Sequence, residues 1–116
     1  MSIESRILLS NITEEATSSD FSYGDKHEGA GYHKHNDGIH TVVYQLSEFV
    51  GTIKIQATLA LYPGDNDWFD VDGTEYSFDS TIANGAYSYT FNGKFVWIRA
   101  AYNLQNGTIT QIRYNY

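Results

Sequence analysis

Cysteine is absent from the 116 residues, so neither a disulfide nor a thiolate metal site can hold this chain, and no thiol nucleophile exists. Positive charge is scarce: seven Lys and Arg stand against fourteen Asp and Glu, for a formal net charge of −7, and the basic residues form no cluster. Nucleic acid and anionic membranes reward clustered cations, so neither is an expected partner. No apolar run approaches the ~20 residues that cross a bilayer. The opening MSIESRILLSNITEE lacks a basic region followed by an apolar stretch. The expectation is a chain made in a cytoplasm without a signal peptide. No Ser-His-Asp arrangement or phosphate-cradling glycine loop is legible, so the chain reads as non-enzymatic.

What is abundant is aromatic. Ten tyrosines, six phenylalanines and two tryptophans make up 16% of the chain, and such residues favour strands and surfaces that are apolar in body and polar at the tip. With 41% hydrophobic and 18% charged residues, the balance is that of one globular domain whose stability comes from packing and sheet hydrogen bonds.

The clearest pattern is TIKIQATLAL, residues 52–61. Ile53, Ile55, Ala57, Leu59 and Leu61 alternate with Thr52, Lys54, Gln56, Thr58 and Ala60, the period of a half-buried strand, so the first set is expected to face one core. Pro63 and Gly64 end it. Upstream, residues 5–12 read as a strand, residues 13–37 as a long polar loop, and residues 39–50 as a strand, with a bulge or bend at 49–51 carrying the chain around a corner. Downstream, Tyr76 and Phe78 mark a short strand and Ala83, Asn84 and Gly85 a turn. Tyr87, Tyr89 and Phe91 share one side of the next strand. Asn92-Gly93 then predicts a hairpin returning through KFVWIRAAY, which is apolar on both sides, as a covered central strand or an oligomer interface would be. A turn at Asn106-Gly107 leads to a last strand with Ile112, Tyr114 and Tyr116 in phase, expected at a sheet edge. Seven or eight such strands predict an all-β antiparallel sandwich, jelly-roll-like in style, in a single domain over residues 1–116.

Two clusters invite chemistry. Asp65, Asp67, Asp70 and Asp72, followed by Gly73, could supply hard oxygens to a structural calcium, although Trp68 and Phe69 interrupt the spacing and a solvated acidic turn is the simpler reading. No other cofactor is implied. As an acid and base pair on a glycoside, Asp67 and Asp70 stand too close together in sequence to flank a bond. Trp68 and Phe69, with Asp67 and Asp70 beside them, could instead stack on a sugar and accept its hydroxyl hydrogen bonds; a core plug at the end of a sandwich is the competing account. His33 and His35 would share a face in YHKHNDGIH, with His27 or Asp37 as a further metal ligand, but exposed loop histidines need no metal.

The runs GIHTVVYQLSEFVGTIKIQATLALYPGDNDWFDV and NGKFVWIRAAYNLQNGTITQIRYNY resemble segments of small virion structural proteins of T4-like tailed phages, over about residues 38–116. That resemblance implies a β-sandwich carried on the virion in the tail, baseplate, neck or head decoration, with other virion proteins as partners. It transfers no catalytic motif. Two functions are expected in competition. One is a structural or decoration subunit that self-associates, a trimer favoured over a dimer because such particles are often threefold; the other is a lectin-like module for a host or environmental glycan.

Overall fold

The computed structural model describes residues 5–13, 21–29 and 38–115. Its seven strands are β1 (Ser5–Ile12), β2 (Ser22–Tyr23), β3 (His27–Glu28), β4 (Ile39–Thr58), β5 (Phe69–Asp70), β6 (Tyr76–Asn92) and β7 (Trp97–Asn115). All belong to one antiparallel sheet. At its centre β4 lies between β6 on one side and β7 on the other, β5 extends the β6 side, and β1, β2 and β3 line the far side of β7.

Length forces this sheet to fold over. A straight strand of the 20 residues of β4 would measure ~65 Å, yet the longest axis of the molecule is 41 Å. The connection between β6 and β7 gives the direction. Asn92 lies opposite Ile39 and Trp97 opposite Thr58, so residues 93–96, which reach ~18 Å at most, join the two ends of β4. Hydrogen bonds from the Gly93 amide to the Gly38 carbonyl and from the Val96 amide to the Thr58 carbonyl, each 2.9 Å, hold that crossing. The sheet is thus doubled into a sandwich whose two layers share the strands β4 and β7.

The bend sits at residues 46–51 of β4, where register shifts against both neighbours mark bulges and Glu48 takes a φ of 51°. An extra residue in one strand reverses the side to which later side chains point. Before the bend His40, Val42, Tyr44 and Leu46 are buried; after it the odd-numbered Phe49, Ile53, Ile55 and Ala57 are. The reversal keeps one surface of the sheet facing the interior. On β7, Gly107 at φ 85° packs so closely against the Glu48 carbonyl that a side chain there would collide with backbone. One core results, in which Ile98, Ala100, Ile109, Ile112 and Tyr114 of β7, Leu8 of β1 and Phe91 of β6 join the β4 residues.

The all-β antiparallel sandwich and the corner at 49–51 are as expected, but several details differ. Leu59 and Leu61 are 66% and 51% exposed, because β4 ends at Thr58, whose hydroxyl accepts a hydrogen bond from the Ala60 amide. Asn92-Gly93 is no hairpin: β6 pairs with β4, and the chain passes from one layer to the other. Gly85 and Gly107 bend continuous strands instead of ending them. The last strand is central, paired with β1 and β4 together, so Tyr114 is a core residue and removing it would strike the fold itself. Within the expected loop at 13–37, β2 and β3 add to the sheet; His33, His35 and Asp37, like Tyr116, lie outside the described residues.

Candidate functional site

The acidic segment is placed by the turn that ends β4. Trp97 Nε1 donates to the Leu61 carbonyl at 2.8 Å, which folds residues 59–62 back over the outer side of the sheet. A 3-10 turn over Asp65–Asp67 follows, closed by the Gly64 amide donating to Asp67 Oδ2 at 2.7 Å. In β5, Phe69 then lies opposite Ala57 and Asp70 opposite Gln56. Pleating therefore separates the two large aromatics: Trp68 and Asp70 go to the outer surface with Gln56, and Phe69 goes to the opposite side with Ala57.

Thr74 fastens this segment to the sheet. Its buried hydroxyl accepts from the Ile55 amide at 3.1 Å and donates to the Val71 carbonyl at 2.7 Å, while its own carbonyl accepts from Tyr44 Oη at 2.9 Å. The Val71 amide donates to the Ile55 carbonyl at 3.0 Å. Burial pushes the Tyr44 phenol far above its ordinary pKa, so it stays a donor.

On the outer surface a chain of polar contacts runs across β4. Lys54 Nζ donates to Asp70 Oδ2 at 2.9 Å, Gln56 Nε2 to Asp70 Oδ1 at 3.0 Å, and Arg99 Nε to Gln56 Oε1 at 3.0 Å. The two donors hold the Asp70 carboxyl below the usual carboxylate range, Gln56 contributing most. Aromatic rings cover the cations: Arg99 lies 4.0 Å from the Tyr23 ring centroid and 4.3 Å from that of Trp68, and Lys54 lies 4.3 Å from that of Phe21. Residues 21–26 and 59–68 thus cover the outer side of β7, which accounts for a strand that is apolar on both sides.

The opposite side opens into a groove of about 490 Å³ between residues 69–72 and the end of β6. Phe69, Tyr89, Phe91 and Phe95 supply aromatic walls, Phe69 meeting Phe95 edge-on at 5.7 Å, and Asp72, Thr90 and Asn92 supply polar groups; Asp70 borders the groove with its carboxylate turned outward to Lys54 and Gln56. Phe69 is 42% exposed.

Of the residues singled out from the sequence, Phe69, Asp70 and Asp72 line the groove, Trp68 covers Arg99, and Asp67 closes its own turn. Among the described residues no three acidic or imidazole groups converge as a metal site would require. His27 pairs with Ile98 in β3, and His40 is buried between rings. Sequence reasoning did not find Arg99, Gln56 and Tyr23, or Tyr89 and Phe95 as groove walls. Gln56 and Arg99 do stand on alternating strands, but only the register of β4 against β7 makes them neighbours. Comparison of the chain with protein-family models, with curated proteins and with solved structures finds no match.

Proposed function

We propose that this chain is a non-enzymatic carbohydrate-binding module whose ligand lies in the groove between residues 69–72 and β6. One observation carries the reading: four aromatic rings wall a groove whose other lining includes carboxylate, hydroxyl and amide groups. The apolar faces of a sugar ring suit the rings, and its hydroxyls suit the acceptors and donors beside them. Because Thr74 and the β4 pairing fix residues 69–74, the walls need little ordering on binding, which lowers the entropic cost of association.

A glycan array followed by calorimetry tests this. Phe69→Ala and Tyr89→Ala are each expected to weaken binding of any array ligand by about tenfold or more, with the fold intact. Absence of any array ligand, or equal binding by both variants, removes the reading.

A second reading, that of an assembly subunit within a virion, has the phage resemblance behind it and one feature of the sheet. Among the described residues, β6 pairs only with β4, so 17 residues with Asp79 as their single charge form an edge. Such an edge is a template for another strand. Its test is solution mass as a function of concentration.

A further inference from the structure

Arg99 holds an unusual position in so acidic a chain. Arg6 is 3.5 Å from Glu28 and Lys54 is 2.9 Å from Asp70, but among the described residues Arg99 has no carboxylate partner. Desolvation lowers its pKa, against smaller upward pulls from Tyr23 and Asp65. Two rings pack against the guanidinium, Tyr23 at 4.0 Å and Trp68 at 4.3 Å from ring centroid to Cζ. Its Nε is taken by Gln56, whose amide orientation is set in turn by Asp70 and Lys54. Each contact removes one freedom of the side chain. What remains is the fork of Nη groups, which has no acceptor among the described residues. A guanidinium fixed in this way suits a planar or tetrahedral oxoanion, which takes two parallel N–H bonds. Because the fork is already oriented and partly desolvated, those bonds form at little entropic cost.

We propose that Arg99 is an anion-recognition subsite for a carboxylate or sulfate carried on a sugar. It lies on the outer side of the sheet, across β5 from the groove, and Asp70 connects the two: the residue borders the groove while its carboxylate, turned outward, orients Gln56. The inference rests on the carbohydrate reading in assigning the anion to a sugar; the oriented fork does not depend on it. Tyr23 and Trp68 act here as positioning residues, since they touch the guanidinium and not the anion.

The test is a titration of the isotopically labelled full chain with glucose, glucuronate and glucose 6-sulfate, following the Arg99 side-chain resonances by NMR and the affinity by calorimetry. At least one acidic sugar is expected to shift those resonances and to bind about tenfold or more tightly than glucose. The acid that does so identifies the anion. Arg99→Lys keeps the charge but loses the fork, and is expected to abolish the preference. Should that variant fail to fold, the resonances of the unaltered chain still decide the matter. Arg99 signals unmoved by both acids, or an undiminished preference in Arg99→Lys, overturn the proposal and leave Arg99 as a clamp between two loops. If array glycans bind through Phe69 while the acids leave Arg99 unmoved, the subsite fails and the groove stands. If the acids move Arg99 while Phe69→Ala and Tyr89→Ala change nothing, the subsite stands without the groove.

Discussion

His40 shows most sharply what single residues contribute here. Its ring is fully buried, stacked 4.9 Å from Phe91 and 5.7 Å from Tyr114, and its Nδ1 lies 3.0 Å from the Gly38 carbonyl. A carbonyl only accepts, so Nδ1 carries the proton. Burial lowers the imidazole below its ordinary 6.5, against upward pulls from the Gly38 and Phe91 backbones. A group depressed on folding contributes stability that is present above the unfolded value and lost as pH falls toward the folded one. Melting temperature is therefore expected to drop on acidification from 6.5, well before Asp70, also depressed but from 3.8, begins to contribute its own loss. His40→Phe keeps a ring in the stack and is expected to flatten that slope. An unchanged slope in a melting series would mean that another group titrates. Thr74 supplies a second residue-scale prediction. Thr74→Val takes from the Ile55 amide its side-chain acceptor, while the Val71 carbonyl keeps the bond from the residue 74 amide, and is expected to cost about 1–3 kcal/mol in denaturant titration.

At the scale of elements, the corner of the sheet governs. Gly107 takes φ 85° with its backbone against the Glu48 carbonyl, so Gly107→Ala combines an unfavourable backbone conformation with a collision that only movement of β4 can relieve. A loss of about 1–3 kcal/mol is expected. The strand arms behave differently on either side of Thr58. Ile55→Ala empties a fully buried site and should cost about 2–5 kcal/mol. Leu59→Ala, at 66% exposure, should stay within about 0.5 kcal/mol. Equal losses in chemical denaturation would place residues 59–61 back in the core.

For the whole molecule, the edge offered by β6 is the feature that bears on assembly. Two such edges pairing antiparallel generate a two-fold axis, so a dimer is the expected product where the phage resemblance favours a trimer. Each chain carries −7, and repulsion between copies opposes the contact, so association is expected to strengthen with salt. Ile82 lies on this strand at 57% exposure. Ile82→Lys should keep the chain monomeric in sedimentation while leaving its melting temperature unchanged. A single-chain mass at every salt and protein concentration would remove the assembly reading.

Alternation of side chains by itself determined the strand content, the inward face of Ile53, Ile55 and Ala57, and the need for a corner near Gly51, because a two-residue period reports directly which side of a strand is dry. It also picked out residues 65–72 as a loop rich in acids and aromatics. What alternation does not carry is register between strands distant in the chain. The placing of Gln56 opposite Arg99, and of Tyr89 across from Phe69, comes from β4 folding over and bringing β6 and β7 to its two sides. Asn92-Gly93 departs from its local signal for the same reason. Its local geometry allows a tight hairpin, but β4 offered partners to both flanking strands, and residues 93–96 became a bridge between layers. Leu59 continued a perfect pattern past the point where the strand ended, since nothing in a hydrophobic period marks where backbone pairing stops. Local chemistry decides which way a side chain points along its own strand; only the doubled sheet decides what it meets there.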